Sequence, residues 1–190
     1  MLRRSHELAS ASKPHTDSVL RCVYVDLERT LRGAGGSFLH DAEGTFTLLG
    51  ARALEACERA GAELVPHSAL PSSEVEPVAR LLGARAWIAE AGELLALDGE
   101  EQEAAGGLAD AVARHLRARA CAPRSAIAVG PELGLEAVVG TLWLAGGALD
   151  DPLLRLELEE RPRVRMAEAS GPGAVYEAVV TTLAERGGGA

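Results

Sequence analysis

Along the chain, short unbroken apolar runs alternate with stretches in which apolar residues recur every three or four positions. The runs Leu20 to Val25, Ala62 to Pro66, Ala86 to Ala89, Ala126 to Val129 and Val138 to Leu144 have the length and composition of buried strands, and Val164 to Ala167 reads as an edge strand. Between them, Leu48, Leu49, Ala53, Leu54 and Cys57 predict a helix over Leu48 to Ala60, which Gly61 stops. Val75, Val78, Ala79 and Leu82 form the face of a second helix that Gly83 ends, with Ser73 and Glu76 spaced as a capping box. Leu108, Val112 and Leu116 predict a helix to about Arg119. Asp150 before Pro152 predicts the start of a short helix through Glu160, and Val175, Val179, Val180 and Leu183 face inward from a closing helix, Gly173 to Arg186.

Glu93 to Leu97 reads as a short ribbon and Asp98 to Gly107 as polar and turn-like, while the glycines of Gly33 to Gly44, with Phe38, Leu39 and His40, suit a loop or short flap. Strands alternating with helices at this spacing predict an α/β fold: one three-layer α/β/α sandwich around a mainly parallel, Rossmann-like sheet. The domain expected is residues 19–186, between a flexible polar tail (1–18) and a loose end (187–190).

Composition sharpens this picture. The chain has 190 residues, enough for a real core, but only 3% are aromatic, so that core must be built from Leu, Val and Ala. A net charge of −9 argues against a nucleic-acid partner, which requires clustered Lys and Arg, and a bound divalent cation would ease that excess. Lys13 is the only lysine, so chemistry that needs one has almost nowhere to find it. Cys22, Cys57 and Cys121 are odd in number, far apart and without a Cys-x-x-Cys, which predicts reduced thiols in a cytoplasmic protein, with neither a disulfide framework nor a zinc site. No apolar run is long enough for a membrane helix, and the Arg3-Arg4 start lacks the apolar stretch of a secretory signal.

The densest chemistry follows the first strand, in Val23-Tyr24-Val25-Asp26-Leu27-Glu28-Arg29-Thr30-Leu31. In parallel α/β sheets ligands collect at the carboxyl ends of strands, so an acid placed there faces a site, although Asp and Glu are also ordinary turn residues. Asp26-Leu27-Glu28-Arg29-Thr30 resembles the strand-ending Asp-x-Asp-x-Thr motif of haloacid dehalogenase-like (HAD) phosphohydrolases. Leu64-Val65-Pro66-His67-Ser68 resembles the family's second motif, Ala126-Ile127-Ala128-Val129-Gly130-Pro131-Glu132 its fourth, and Trp87-Ile88-Ala89-Glu90-Ala91-Gly92 a structural signature of the Cof-type branch. Val138 to Ala145 and Gly171 to Val179 resemble the last strand and terminal helix of Cof-like members, so the likeness spans about Leu20 to Arg186.

The resemblance implies a HAD-like fold and Mg²⁺-dependent hydrolysis of a small phosphorylated metabolite through an aspartyl-phosphate. Asp26 is then the nucleophile, Glu28 the acid and base, Ser68 and Thr30 phosphate ligands, and Asp26, Glu28 and either Glu132 or Glu136 the metal carboxylates. The departures are as informative. Glu28 stands for an Asp and moves the carboxylate by about 1 Å, enough to cost about a hundredfold in rate. Pro131 replaces the metal-binding Asp, against which Glu132 and Glu136 are also ordinary solvated acids. No base occurs in Gly106-Gly107-Leu108-Ala109, where the third motif expects one, and Arg114 is the nearest. Only Leu95 to about Gly107 stands where the Cof branch inserts a cap, so no cap is expected, and an uncovered site with exposed Leu or Trp is compatible with a homo-oligomer. The expected activity is weak or lost; the alternative is an inactive HAD-like binding or assembly protein.

Three weaker patterns lead no further. Gly33-Ala34-Gly35-Gly36 lacks the following helix of a dinucleotide loop, His40 with Asp41 and Glu43 reads as a solvated loop, and His67 next to Ser68 lacks the glycine-flanked elbow of a serine hydrolase.

Overall fold

The computed structural model describes residues 19–145 and 152–187. Eight strands form one sheet in the order β5-β4-β3-β2-β1-β6-β7-β8. They are β1 (Cys22–Asp26), β2 (Glu63–His67), β3 (Ala86–Ala89), β4 (Leu94–Leu97), β5 (Glu100–Glu103), β6 (Ala126–Gly130), β7 (Thr141–Leu144) and β8 (Val164–Met166). All neighbours pair in parallel except β3 with β4 and β4 with β5.

The central strand β1 is buried along its whole length. Its alternate residues feed two cores: Val23 and Val25 face α1 (Leu49–Ala60), α2 (Ser72–Leu81) and α5 (Pro172–Gly187), while Cys22 and Tyr24 face α3 (Gly107–Ala118) and α4 (Pro152–Glu159). Burying each large apolar side chain of this strand is worth about 1.5–3 kcal/mol, which is why it reads as a continuous apolar run rather than an alternating one. The three-layer, mainly parallel sandwich expected from the sequence is therefore present, and only the β4–β5 hairpin lies between β3 and α3, with no cap domain there.

Four local expectations are corrected. The polar stretch after Leu97 is not all turn, since Glu100–Glu103 is β5, exposed at every position, so no apolar alternation marked it. Its signal was Asp98-Gly99, both at positive φ (50° and 92°), the residue pair that a tight two-residue hairpin prefers. The capping box does not form: α2 begins at Ser72 behind Pro71 with no side-chain cap, and the Ser72 hydroxyl is instead spent on Glu101 while accepting from Trp87 Nε1 at 3.2 Å. The strand read from Val138 starts only at Thr141, because Leu133–Ala137 coils into a 3₁₀ turn. Both tryptophans are buried, and among the described residues the exposed large apolar ones are Val19, Leu39, Phe46, Leu48, Leu81, Leu153 and Leu156. The Asp150 cap and the 1–18 tail lie outside the described residues, α5 runs through Gly187, and no described helix is long and apolar enough to cross a membrane.

Gly92 and Gly99 both sit at positive φ, but with different surroundings. A Cβ on Gly92 would meet Leu108 N at 2.0 Å, whereas one on Gly99 would meet nothing within 4 Å. Gly99→Ala is expected to cost about 1–2 kcal/mol, the left-handed penalty alone, and Gly92→Ala clearly more, about 3 kcal/mol or above. Urea denaturation of the two variants checks the ranking, and equal losses would remove the packing argument.

Candidate active site

Asp26 ends β1 and caps the π-helical turn Leu27–Leu31 that follows. Its Oδ1 accepts from the backbone N–H of Glu28 at 3.0 Å and of Arg29 at 3.2 Å, which leaves Oδ2 directed at other partners. The carboxyl is only 3% exposed, yet it lines a cleft of about 240 Å³ together with Glu28, Arg29, His67, Ser68, Ala69, Ala91, Leu108 and Glu132. A larger groove of about 400 Å³, bounded by Cys57, Glu58, Glu63 and Arg85, lies beyond the opposite ends of the strands and shares none of these groups.

The sheet register delivers the second wall. Asp26 is paired with His67 across β1 and β2. Pro66 has no N–H to give, so β2 meets β3 only through His67 opposite Ile88, a contact continued by Ser68 N–H to Ile88 O at 3.0 Å. The strand end thus presents His67 and Ser68 together. Ser68 Oγ donates to Glu28 Oε2 at 3.0 Å and accepts from Leu70 N at 2.9 Å, so the first two motif segments are joined directly.

The third wall comes from β6. A Cβ on Gly130 would fall 2.9 Å from Asp26 Cβ and 2.6 Å from Glu132 Oε2, so only glycine lets β6 and the returning Glu132 carboxylate lie this close to Asp26. Glu132, one residue past the proline, brings an acid back beside Asp26. Its carboxyl is pushed up from 4.5 to about 7, first by burial and then by the Asp26 charge. Glu136 is elsewhere: it does not line the cleft and its Oε1 is 2.6 Å from Arg161 Nη1. Thr30 is fully buried inside the turn, off the cleft lining, with Oγ1 lacking a hydrogen-bond partner.

Two cleft residues escaped the sequence reading. Arg29, the variable position of the first motif, places Nε 3.5 Å from Asp26 Oδ2 and Nη2 3.4 Å from Glu132 Oε1, so its guanidinium spans the two carboxylates. His67 is buried, and burial followed by the Arg29 charge drives its imidazole down to about 3, leaving it neutral. Its register with Asp26 was the available signal, but that follows only once β1 and β2 are paired. Arg114 instead pairs with Asp110 at 2.6 Å, and Leu108 lines the cleft where the third motif expects a base. In the 33–47 loop, His40 contacts Ser37 and Asp41 accepts from Thr45 N, as a self-contained loop.

The donor set suits a hard cation in part. Such ions take one or two carboxylates, completed by water and substrate oxygens. Asp26 and Glu132 supply two, close enough to repel each other, and Glu132 Oε2 and His67 Nε2 are buried without hydrogen-bond partners, 4.0 Å apart. Arg29 is 65% exposed and its contacts are long, so it is a weakly held counter-ion that a divalent ion can replace.

No protein-family model matches the chain, and no curated protein matches its sequence. Solved structures do match its fold. The cobalt-bound deoxy-D-mannose-octulosonate 8-phosphate phosphatase of Haemophilus influenzae is 16% identical, with a TM-score of 0.62 over 90% of this chain and 91% of that one. A putative HAD superfamily (subfamily III A) hydrolase from Legionella pneumophila is 17% identical at TM-score 0.62, covering 90% and 85%. The Moraxella catarrhalis 3-deoxy-D-manno-octulosonate 8-phosphate phosphatase, solved with magnesium, phosphate and its sugar acid, is 17% identical at 0.57, covering 88% and 87%. The fold is HAD-like. None of these three is described as a Cof-type protein, so that finer branch rests on the sequence segments alone.

Glu132 gives a pH signature in metal-free buffer. Its folded pKa, about 7, lies above the ordinary 4.5, so between these values the folded state holds the proton that the unfolded chain releases. Its contribution to stability therefore falls as pH rises from 4.5 to 7 and stays low above that. Relative to wild type, Glu132→Gln should gain on the order of 2–3 kcal/mol across this window. Denaturation curves at pH 4.5 and 8 measure the difference, and a pH-independent offset would contradict it.

Proposed function

We propose that the chain is a slow, Mg²⁺-dependent phosphomonoester hydrolase acting on a small phosphorylated metabolite. The observation that carries this reading is the Asp26 carboxyl, which lines the cleft at the end of the central strand with Oδ1 held by two backbone N–H groups and Oδ2 facing Arg29. Asp26 and Glu132 would hold the cation, which when bound would offset charge on the phosphoryl oxygens. With Oδ1 fixed, Asp26 Oδ2 attacks phosphorus in line with the ester oxygen, giving an aspartyl-phosphate. Glu28, which lines the same cleft, protonates the leaving oxygen and then takes a proton from the water that releases phosphate. The Ser68 hydroxyl turns from Glu28 to the phosphoryl group. That two fold neighbours are named phosphatases of a sugar-acid phosphate supports a phosphorylated metabolite as the substrate class.

Slowness follows from what the cleft lacks. Leu108 stands where a cation would steady both nucleophile and phosphate, and a missing electrostatic stabiliser commonly costs 10² or more in rate. Arg29 across Asp26 and Glu132 favours the second reading, in which the site is closed by its own arginine and the fold serves binding alone.

With an aryl phosphate and millimolar Mg²⁺, wild type should turn over slowly but clearly above buffer, EDTA should abolish this, and Asp26→Asn should lower it by at least about 10²-fold. Glu28→Asp, which brings the acid to the family's length, should be faster than wild type by about tenfold or more. A folded wild-type protein with no Mg²⁺-dependent turnover would give the second reading the field.

A further inference from the structure

At the other end of β1 the sheet assembles a second cluster of chemically active side chains. Cys22 opens β1 and is in register with Glu63, which opens β2. The last turn of α3 places His115 over them, fully buried on the same helical face as Val112 and Leu116. A ligand atom from each of Cys22, Glu63 and His115 falls within 4.8 Å of the other two. Cys121, in the turn after α3, brings its Sγ to 3.8 Å from Cys22 Sγ, and the two cysteines are free thiols.

The orientation of the donors is set from outside the cluster. His115 Nδ1 is 2.7 Å from Tyr24 OH, which leaves Nε2 facing inward, 3.4 Å from Glu63 Oε2, buried and without a hydrogen-bond partner. Arg119 grips both oxygens of Glu63 at 2.9 Å, with Asp98 on its other side at 2.7 Å. Metal-ligating histidines and carboxylates are typically oriented by such outer contacts.

Spacing and charge agree with this. Tetrahedral zinc with Zn–S bonds of about 2.3 Å separates two sulfurs by about 3.8 Å, and with N and O ligands at about 2.0–2.2 Å separates those atoms by about 3.4 Å. The observed Cys22–Cys121 and His115–Glu63 separations are 3.8 and 3.4 Å. Two thiolates and Glu63 carry three negative charges beside Arg119, whose own charge is shared with the exposed Asp98, so a divalent cation offsets most of the excess. We propose that Cys22, Glu63 and His115 form a structural site for a thiophilic divalent cation of the zinc class, with Cys121, outside that triad but 3.8 Å from Cys22 Sγ, swinging in as the fourth donor. It would pin β1, β2, α3 and the turn before β6 together, about 13 Å along β1 from Asp26. Two sulfurs and an imidazole select zinc or cobalt over Mg²⁺, which the oxygen-lined cleft favours.

The test is titration of the reduced, EDTA-treated full chain with Co²⁺. Expected are one tight equivalent at sub-micromolar cation, thiolate-to-cobalt charge-transfer absorption with tetrahedral visible bands, displacement by Zn²⁺ with a rise in Tm, and no competition from millimolar Mg²⁺. Cobalt held in the Asp26 cleft has only oxygen and imidazole donors and gives no thiolate band, so Asp26→Asn should leave the signal unchanged. Cys22→Ser should weaken the charge-transfer band, Cys22→Ser combined with Cys121→Ser should remove it, and Tyr24→Phe, which keeps the core filled, should weaken binding about 10–100-fold. Absence of the band in folded wild-type protein would overturn the site, as would a band indifferent to Cys22→Ser. Formation of a Cys22–Cys121 disulfide with no cation bound after reduction would assign the pair to redox chemistry instead.

Discussion

A carboxylate at the centre of a parallel sheet, with almost no access to water, must be compensated, and much of the architecture around Asp26 does that. Its Oδ1 takes the two N–H groups that open the following turn. Charged acceptors at such positions make the stronger hydrogen bonds and meet the positive end of the turn's peptide dipoles. Removing the acid would therefore unmake a cap whatever its chemistry, which is why an isosteric Asn is the informative substitution. The proposed nucleophile also terminates β1.

The second compensation is less settled. Glu132 adds another carboxyl beside Asp26, and like charges held this close in a half-buried cleft raise the cost of keeping both ionised. Three devices can relieve it: a proton on Glu132, the Arg29 guanidinium, or a divalent cation. The first operates as pH falls toward 7 and below, the second at any pH but through long, solvent-exposed contacts, and the third only when metal is supplied. Exposed pairs of this kind are worth at most about 1 kcal/mol, so Arg29 competes weakly with any ion that binds both acids. The cleft is better described as a contest among counter-ions than as a damaged copy of an acidic motif.

What could be read from the sequence was what local pattern encodes. The buried strands and amphipathic helices, hence the sheet and its layers, were legible because their periodicities are set by backbone geometry. Asp26, Glu28 and Ser68 were legible as strand-end polar residues, and the structure does bring Glu28 to Ser68. Glu100–Glu103 was hidden because a fully exposed edge strand carries no alternation, and the Ser73 cap failed because α2 starts one residue earlier, behind Pro71, which puts Ser73 inside the first turn. Choosing between Glu132 and Glu136 required the path of the chain after Gly130, which bends one acid toward Asp26 and the other toward Arg161. Arg29 and His67 matter through what stands opposite them, and no spacing rule within one segment reports that.

The same limit explains the cysteines. Cys22 and Cys121 are 99 positions apart, so a search for neighbouring cysteines finds no cluster, yet β1 and β6 pair in register and the turn that enters β6 must pass the first residue of β1. Glu63 arrives by the equivalent argument from β2, and His115 from the helix covering that face. In a parallel sheet all strand beginnings gather at one edge and all strand ends at the other. Side chains remote in sequence therefore converge twice: at the ends into an oxygen-rich cleft, and at the beginnings into a sulfur and imidazole cluster. Hard cations favour the first set and soft ones the second, so β1 separates two chemistries along its own length.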